Sequence, residues 1–477
     1  MRRLILLAGL VCLMSVAAET NPFDSGAAST VTLDATRTLG PVRRLNGMNN
    51  TVPLMQTDFP EMSLSNAFAR LRIPYTRFHD AALENPGYEL IDVSRVFPLF
   101  DADPDDPKSY VFEPTDAYLA GCRAIGSEIE YRLGESIELS RQRFKVKPPR
   151  DNRKWAEVCA HIVRHYNCGW ANGFRWNIRR WSVWEEPDNT HLLDRKNAFT
   201  FNYLPLYAET ARRLKAEFPD ILVGGPQSTG PNKRLPEFLR YCRDNQLPLD
   251  FCGWSHYSRS PEGIMEAVRK IRGLLDEHGF AKTTVQLAEW HMMPESWEFC
   301  RKPEKFAAGA KDLTGVHGAA FDVAVLALGQ DEPLDRAYYY SASSGCWGLF
   351  KPGSGLPQPG YYAFQAFADV AEGEVRLSTA VPAKSGLYAL ASRRADGGVL
   401  LLVSAYRASC GDVTVRMDGL KPVALSTLEE GRPFERTPVS SAPGAPFVLR
   451  HRSGESSVWL IEGVDFNDGG LADDRRF

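Results

Sequence analysis

The feature that most constrains this chain is a regular alternation of short apolar runs with longer helical patterns across residues 45–372. After the fourth run, Leu206, Tyr207, Ala211 and Leu214 recur at the spacing of an amphipathic helix. A strand, a helix and a second strand in succession form a crossover unit, which requires the two strands to be parallel. Eight runs have the length and composition of strands: LNGMN (45–49), YTRFH (75–79), EIEYRLG (128–134), WSVW (181–184), ILVGG (221–225), FCGWS (251–255), TVQLA (284–288) and YYYS (338–341).

Eight such units in about 330 residues predict an α/β fold of the (β/α)8 TIM barrel type, with insertions between its elements. The alternative is a doubly wound open sheet, because periodicity alone does not separate the two arrangements. A dinucleotide-binding sheet of that kind would carry GxGxxG after its first strand, and this chain has no such motif there. The sequence therefore favours the closed barrel.

Residues 373–477 have a different sequence pattern, with short β-rich runs in place of the alternation of strands and helices. The runs are LYALAS, VLLLVSA, DVTVRM, PFVLR and SVWLIE, and ADGG at 395–398 is typical of a hairpin turn. This region predicts an accessory antiparallel β-sandwich domain. The segment VTLDATRTLGPV at 31–42 alternates like a strand, so residues 19–44 are expected to join the sandwich, and residues 45–372 form the barrel.

Residues 1–18 have the pattern of a secretion signal that a signal peptidase removes. Two arginines precede an apolar run from Leu4 to Met14, and small residues follow up to a cleavage position after Ala18. The alternative, a short membrane anchor, is disfavoured because the run is shorter than the roughly 20 apolar residues that cross a bilayer. We therefore expect a secreted or periplasmic protein that is not an integral membrane protein.

The overall charge and the pattern of metal-binding residue types exclude several functional classes. A formal net charge of -3 gives no support for a nucleic-acid partner, which normally requires a basic surface. The cysteines lack CxxC spacing and the histidines lack HExxH spacing, so no metal site and no organic cofactor are expected. Ser-His-Asp chemistry also fits poorly, because GxSxG is missing. Disulfides and buried free thiols both remain open for the cysteines, and the sequence makes no prediction of oligomeric state.

Glutamates lie at the ends of two predicted strands. In WSVWEEPDN, Glu185 and Glu186 follow the fourth run, and in TVQLAEW, Glu289 follows the seventh. Reactive side chains of a parallel barrel lie at the carboxyl ends of its strands, so these glutamates are expected at one mouth. Two carboxyl groups can cleave a bond between sugars, about 5 to 5.5 Å apart with a covalent intermediate or about 6.5 to 9.5 Å apart with water between them. The alternative is that each is a surface or helix-capping residue.

A set of motifs follows in a characteristic order along the chain: RLNGMNN, YTRFHD, WSVWEEPDN, ILVGGP, DFCGWSHYS, LAEW and GLFKPGSGLPQPGYYAFQAF. This order resembles glycoside hydrolase family 39, a clan A family that includes β-xylosidases and α-L-iduronidases. The resemblance implies a retaining glycoside hydrolase that acts on an oligosaccharide or polysaccharide. A β-xylosidase-like activity is one expectation within this family. It further implies that Glu186 is the general acid and base and that Glu289 is the nucleophile.

The same resemblance implies further residues around the sugar. His79 would reach the sugar, with Arg77 as a second candidate, and Tyr257 would donate its hydroxyl to Glu289 and hold it ionised. The remaining candidates are His256 next to Tyr257, the indoles of Trp184, Trp290 and Trp347 as sugar platforms, and Asn46 and Asn49 as supports. The alternative for each of these side chains is a structural role, either as part of the packed core or as a buried ring whose hydrogen bonds are satisfied.

Glu185 departs from the family pattern, which has asparagine at this position. An amide both donates and accepts hydrogen bonds, whereas an ionised carboxylate only accepts them. A charged Glu185 is therefore expected to bind substrate, to raise the pKa of Glu186 and to disfavour a uronic acid relative to a neutral or amino sugar, unless its side chain rotates away from the mouth. The departure also leaves open a second class of function, a catalytically inactive barrel that acts as a carbohydrate-binding protein.

Overall fold

The computed structural model describes residues 29–51, 64–78, 90–137, 148–189, 203–232, 234–430, 434–441 and 446–465. Within these residues the chain forms a closed parallel barrel and a separate nine-stranded sheet, so the predicted fold class is confirmed. The predicted signal peptide and the candidate His79 lie outside the described residues.

Eight parallel strands close the barrel, and they coincide with the eight runs predicted from the sequence. Strand β1 (Thr30–Thr38) precedes the barrel, whose strands are β2 (Gly47–Asn49), β3 (Tyr75–Arg77), β4 (Glu128–Leu133), β5 (Arg180–Val183), β6 (Leu222–Ser228), β7 (Phe251–Ser258), β8 (Thr284–Met292) and β9 (Arg336–Tyr339). The first and last of them close the ring, with Gly47 paired to Tyr338 and Met48 to Tyr339. The carboxyl ends of all eight strands therefore open at the same mouth.

Helices cover the outside of the barrel. They are α1 (Ser65–Leu71), α2 (Val93–Val96), α3 (Glu113–Ala124), α4 (Asn152–Asn167), α5 (Tyr203–Glu217), α6 (Arg234–Asp244), α7 (Pro261–Glu277), α8 (Pro303–Thr314), α9 (Val316–Leu328) and α10 (Pro359–Ala371). In α5 the periodic residues Leu206, Tyr207, Ala211 and Leu214 are all buried, which is the burial that their spacing predicts. Local signals also fix helix starts, since the Ser260 side chain caps α7 by accepting from the Gly263 N–H.

The strands outside the barrel form one sheet that encloses an apolar core of its own. Besides β1 they are β10 (Val375–Ala380), β11 (Leu387–Arg393), β12 (Val399–Ala405), β13 (Val413–Asp418), β14 (Leu420–Leu428), β15 (Arg436–Pro438), β16 (Phe447–Leu449) and β17 (Ser457–Asp465). Their order is β15-β14-β17-β12-β11-β10-β1-β13-β16. Strand β1 is antiparallel to β10 but parallel to β13, so the sheet is mixed where a purely antiparallel one was expected. No hairpin joins β1 to β13, so their relative direction is not fixed locally.

Helix α9 holds the sheet against the barrel. The helix is apolar around most of its circumference, and its residues from Gly318 to Leu326 are buried. The Ser404 hydroxyl of β12 donates to the Ala320 carbonyl at 2.7 Å, and the Tyr406 hydroxyl donates to the Arg259 carbonyl at 2.8 Å. Packing and hydrogen bonds together therefore fix the two domains to each other.

Two further findings concern membrane segments and thiols. Within the described ranges, no single helix is long and apolar enough to cross a bilayer, whereas Pro303–Thr314 with Val316–Asp331 passes by length and composition as a pair bent by 52°. The eight cysteines in the described ranges are free thiols, and five of them are buried: Cys122, Cys159, Cys242, Cys252 and Cys410. The open question about the cysteines is therefore answered by free thiols.

Candidate active site

Three glutamate side chains converge at the mouth of the barrel. Glu185 and Glu186 follow β5, and Glu289 lies on β8, so the chain brings together residues about 100 positions apart. One carboxylate oxygen of each lies within 4.8 Å of the corresponding oxygens of the other two. Glu185 and Glu289 are buried, whereas Glu186 is half-buried and so retains access to solvent.

A sharp change of backbone direction after β5 aims Glu186 into this group. Trp184 and Glu186 adopt positive φ angles of 71° and 37°, a region that non-glycine residues enter at a cost and that is often found at functional sites. The turn is held by hydrogen bonds to neighbouring strands, with the Glu186 N–H donating to the Gln227 carbonyl at 3.0 Å. Gly134 makes room for it, because a Cβ there would lie 2.8 Å from the Trp184 Cα. The Asn189 side chain then donates to Glu186 Oε2 at 2.7 Å.

Glu289 is held by a hydrogen bond from Tyr257 on the adjacent strand. The Tyr257 hydroxyl donates to Glu289 Oε1, which is the contact that the sequence analysis expected. Burial, and then the charge of Glu289, raise the pKa of Tyr257 well above 10. The hydroxyl is therefore a permanent donor at any pH at which the protein would work.

Glu185 forms a buried ion pair with Arg77 of β3. The Arg77 guanidinium donates to Glu185 Oε2, and both side chains are fully buried. Burial alone would lower the pKa of Arg77, but the nearby charges of Glu185, Glu130 and Glu289 raise it above its usual value. Arg77 therefore stays charged and compensates Glu185. This pairing lessens the repulsion that the sequence analysis expected Glu185 to exert on Glu186.

A polar network inside the barrel supports Arg77. Glu130 of β4 is fully buried, lies 3.7 Å from Arg77 Nε and 3.3 Å from Arg180 Nε, and accepts from Gln286 at 2.6 Å and from the Tyr338 hydroxyl at 2.8 Å. Sequence reasoning missed this residue. The available signal was a glutamate in the middle of the strand EIEYRL, where a charged side chain needs a partner to be buried.

Aromatic side chains line the Glu289 side of the mouth. The Tyr257 ring packs edge-on against Trp297 at 4.8 Å and against Trp347 at 5.4 Å between ring centroids. The candidate Trp347 is 7% exposed, whereas Trp297 is 48% exposed. Trp297, which lies in the segment after β8 and was not singled out from the sequence, is therefore the solvent-exposed indole of this pair.

The structure does not bring three other candidates to the carboxylates. Trp184 is buried against Trp155 of α4 at 5.6 Å, and Trp290 is fully buried against Tyr339 at 5.2 Å. His256 hydrogen-bonds to the backbone of Gly263, and burial lowers its pKa. All three correspond to the alternative of packed side chains. Trp290 and His256 are adjacent in sequence to Glu289 and Tyr257, and successive residues of a strand point to opposite faces. Trp184 lies after β5, in the turn with positive φ, where this alternation does not apply.

The two asparagines have supporting contacts. Asn49 donates to the Ala288 carbonyl at 2.8 Å and accepts from Arg77 at 3.2 Å. Asn46 donates to the Leu71 carbonyl at 3.1 Å, outside the group of carboxylates. A residue that sequence reasoning missed is Ser255, which pairs in register with Glu289; its buried hydroxyl has no hydrogen-bond partner among the described residues.

The three carboxylates are also the one group of histidine, cysteine, aspartate or glutamate side chains, within the described ranges, that is close enough to share a metal ion. Arg77 already supplies a cation to Glu185, and Tyr257 already donates to Glu289. The carboxylate oxygens that could bind a metal ion are thus the same atoms that acid and base chemistry would use.

Paired glutamates on the fourth and seventh strands of a closed (β/α)8 barrel define the architecture of the barrel glycosidases. The family model described as Glycosyl hydrolases family 39 matches residues 32–339. The chain belongs to glycosyl hydrolase family 39, and the resemblance seen in its motifs is confirmed.

Relatives and solved structures agree with this assignment. The chain is 26% identical to the "Beta-xylosidase" of Geobacillus stearothermophilus over 167 residues, or 31% of this chain and 32% of that protein. It is 26% identical to the "Beta-xylosidase" of Caldicellulosiruptor saccharolyticus over 250 residues, or 46% of this chain and 47% of that protein. The matches thus span less than half the length of these curated relatives.

Two solved structures share the fold over most of the chain. A glucosidase from Croceicoccus marinus superposes with a TM-score of 0.74 at 24% identity, covering 92% of this chain and 100% of that one. A GH39 enzyme from Xanthomonas axonopodis pv. citri superposes with a TM-score of 0.68 at 19% identity, covering 92% and 98%. At these identities the likeness concerns the fold.

Proposed function

We propose that this protein is a glycoside hydrolase that cleaves its substrate with retention of configuration at the anomeric carbon. The observation that carries the proposal is the approach of the Glu186 and Glu289 carboxylates to within 4.8 Å. A covalent, retaining mechanism uses carboxyl groups about 5 to 5.5 Å apart, whereas an inverting mechanism needs about 6.5 to 9.5 Å to admit a water molecule. The close approach favours retention.

The surroundings of the two glutamates support distinct roles. Glu186, half-buried and contacted by Asn189, donates a proton to the leaving oxygen while Glu289 attacks the anomeric carbon and breaks the glycosidic bond. Glu186 then removes a proton from water, whose oxygen attacks the same carbon, and Glu289 departs as a carboxylate. Tyr257 holds Glu289 in position and stabilises its charge on departure.

The site favours an uncharged sugar. Four glutamates, including Glu130 inside the barrel, face two arginines, Arg77 and Arg180, so a uronic acid would add negative charge to a region that is already anionic. The names of the relatives make β-xylosides and glucosides the first substrates to test. The exposed face of Trp297 supports binding of the apolar face of a sugar ring.

We further propose that the protein is secreted or periplasmic. The support is the sequence of residues 1–18, in which two arginines, an apolar run and small residues follow in the order of a cleavable signal. Amino-terminal sequencing of the mature protein from a secreting host tests this, and a protein that keeps Met1 would contradict it.

The function is tested with nitrophenyl β-xylosides and β-glucosides on the wild type and on Glu289→Gln. We expect turnover by the wild type, its loss in the variant with an unchanged circular dichroism spectrum, and a first-formed product of retained configuration by proton NMR. A 2-deoxy-2-fluoro glycoside should label the peptide that contains Glu289. Binding of sugars without turnover or label would instead favour the carbohydrate-binding alternative, and a product of inverted configuration would contradict the retaining mechanism.

A further inference from the structure

Two buried polar side chains, His291 and Tyr339, form a hydrogen-bonded pair next to the mouth of the barrel. His291 follows Glu289 by two residues on β8, and its Nε2 lies 2.6 Å from the Tyr339 hydroxyl. Both side chains are at most 1% exposed, and the mechanism described above uses neither of them.

One fixed acceptor gives this pair a direction. His291 Nδ1 lies 3.2 Å from the Met292 carbonyl, which can only accept, so Nδ1 carries the proton and Nε2 accepts from the Tyr339 hydroxyl. Burial lowers the pKa of His291 to about 3, so the ring is neutral in agreement with this direction.

The neutral His291 ring packs against the aromatic side of the mouth. The His291 ring meets the Trp347 indole edge to face at 5.1 Å and 89°. Trp347 in turn packs edge-on against Tyr257 at 5.4 Å and 77°, and Tyr257 donates to Glu289. The His291 ring is thus one wall of the site that Trp347 occupies, together with Trp297 and Phe299, and Trp347 borders the ring whose hydroxyl holds Glu289.

We propose that Tyr339 and His291 act as positioning residues that fix Trp347 and, through it, the hydrogen bond from Tyr257 to Glu289. The proposal rests on the proposed function, because its effect is read in turnover. A side chain that positions another loses its influence when the positioned group is removed, whereas independent structural contributions add. The distinction can be measured with a double-mutant cycle.

The test compares kcat for an activated aryl glycoside in the wild type, Tyr339→Phe, Tyr257→Phe and the double variant. Tyr339→Phe removes the hydroxyl that bonds to His291 and keeps the ring that packs against Trp290. We expect kcat to fall by roughly threefold or more in Tyr339→Phe alone and not to fall further when that change is added to Tyr257→Phe. Equal effects in both backgrounds, or wild-type kcat in Tyr339→Phe, would overturn the proposal.

Tyr207→Phe is the matched control for general destabilisation. Tyr207 is fully buried on α5 and donates its hydroxyl to the Pro248 carbonyl at 2.7 Å, so the variant also loses one buried hydrogen bond. We expect it to lower the melting temperature much as Tyr339→Phe does, without changing kcat.

A measurement that does not need turnover separates this proposal from the proposed function. In a crystal structure of Tyr339→Phe we expect the His291 ring and the Trp347 indole to move together from their wild-type positions, with the barrel unchanged. Superposable rings would overturn the positioning role even if the wild type proved inactive. An inactive wild type with displaced rings would count against the proposed function alone.

Discussion

Replacement of Tyr257 by phenylalanine tests the roles assigned to the two steps of the reaction, because it removes one hydroxyl and keeps the ring. The hydroxyl donates to Glu289 Oε1 from a buried position. Burial, and then the charge of Glu289, hold the pKa of Tyr257 well above 10, so the donor persists across the working pH range. In the second step Glu289 leaves the anomeric carbon and regains its negative charge, which this hydroxyl stabilises.

The size of the effect follows from the strength of such a bond. A hydrogen bond to a charged group contributes about 1.5 to 3 kcal/mol. If about half of the charge has returned in the transition state, the variant loses about 0.75 to 1.5 kcal/mol, which slows the second step roughly four- to thirteenfold. The first step consumes the charge of Glu289, so the lost bond does not slow it in this way. We therefore expect kcat and KM to fall together, with kcat/KM nearly unchanged.

Stopped-flow release of dinitrophenol from an activated glycoside measures both steps. The Tyr257→Phe variant should show a burst of about one equivalent per active site, because the covalent intermediate accumulates when its hydrolysis becomes slow. Tyr207→Phe again serves as the control, since it loses a buried hydroxyl elsewhere in the barrel. A variant in which kcat/KM falls while kcat stays constant, with no burst, would refute the assignment of Tyr257 to the departing carboxylate.

Three further variants test other parts of the site and fold. Trp297→Ala removes an exposed indole face worth about 1 to 2 kcal/mol of apolar contact, so KM should rise roughly five- to thirtyfold with kcat little changed, and an unchanged KM would remove Trp297 from the site. Arg77→Met leaves Glu185 buried without its cation and should cost about 3 to 5 kcal/mol in urea unfolding, which the added change Glu185→Gln should largely restore. No restoration would contradict the pairing. Burial, and then the charge of Asp92, raise the pKa of Glu135 above its usual 4.5. The folded state therefore retains this proton longer than the unfolded state, so stability should decline as pH rises from about 4.5 towards the raised pKa, and Glu135→Gln should flatten the decline of the melting temperature; parallel profiles would contradict it.

The strands and the two central glutamates were predictable because each depends on local pattern. An apolar run followed by a helical period predicts a strand and its crossover helix, whatever the tertiary neighbours of that strand are. A residue directly after a parallel strand lies at the carboxyl end of the sheet, so Glu186 and Glu289 were expected at one mouth before any distance was known. Their separation was not predictable, since it depends on the turn after β5 and on the register between β7 and β8.

The partners of the buried charges were less accessible from the sequence. Arg77 and Glu185 are separated by 108 positions, and Glu130 meets Gln286 across 156 positions. Nothing local selects one such pair over the many other combinations of charged residues. The pairing is made by the closed barrel, which brings distant strands to face one another and removes the water that would otherwise solvate each charge.

The amino-acid sequence by itself determined the order of the elements, the barrel, the accessory sheet and the two strand ends that carry Glu186 and Glu289, because all of these follow from the periodicity of apolar residues. Tertiary structure alone decided which aromatic side chains reach the mouth. Trp290 is adjacent to Glu289 in sequence, yet it packs among the helices, whereas Trp297 lies next to Tyr257. Neighbouring side chains on a strand point to opposite faces, and the register shifts in β8 relative to β7 and β9 determine which face each takes.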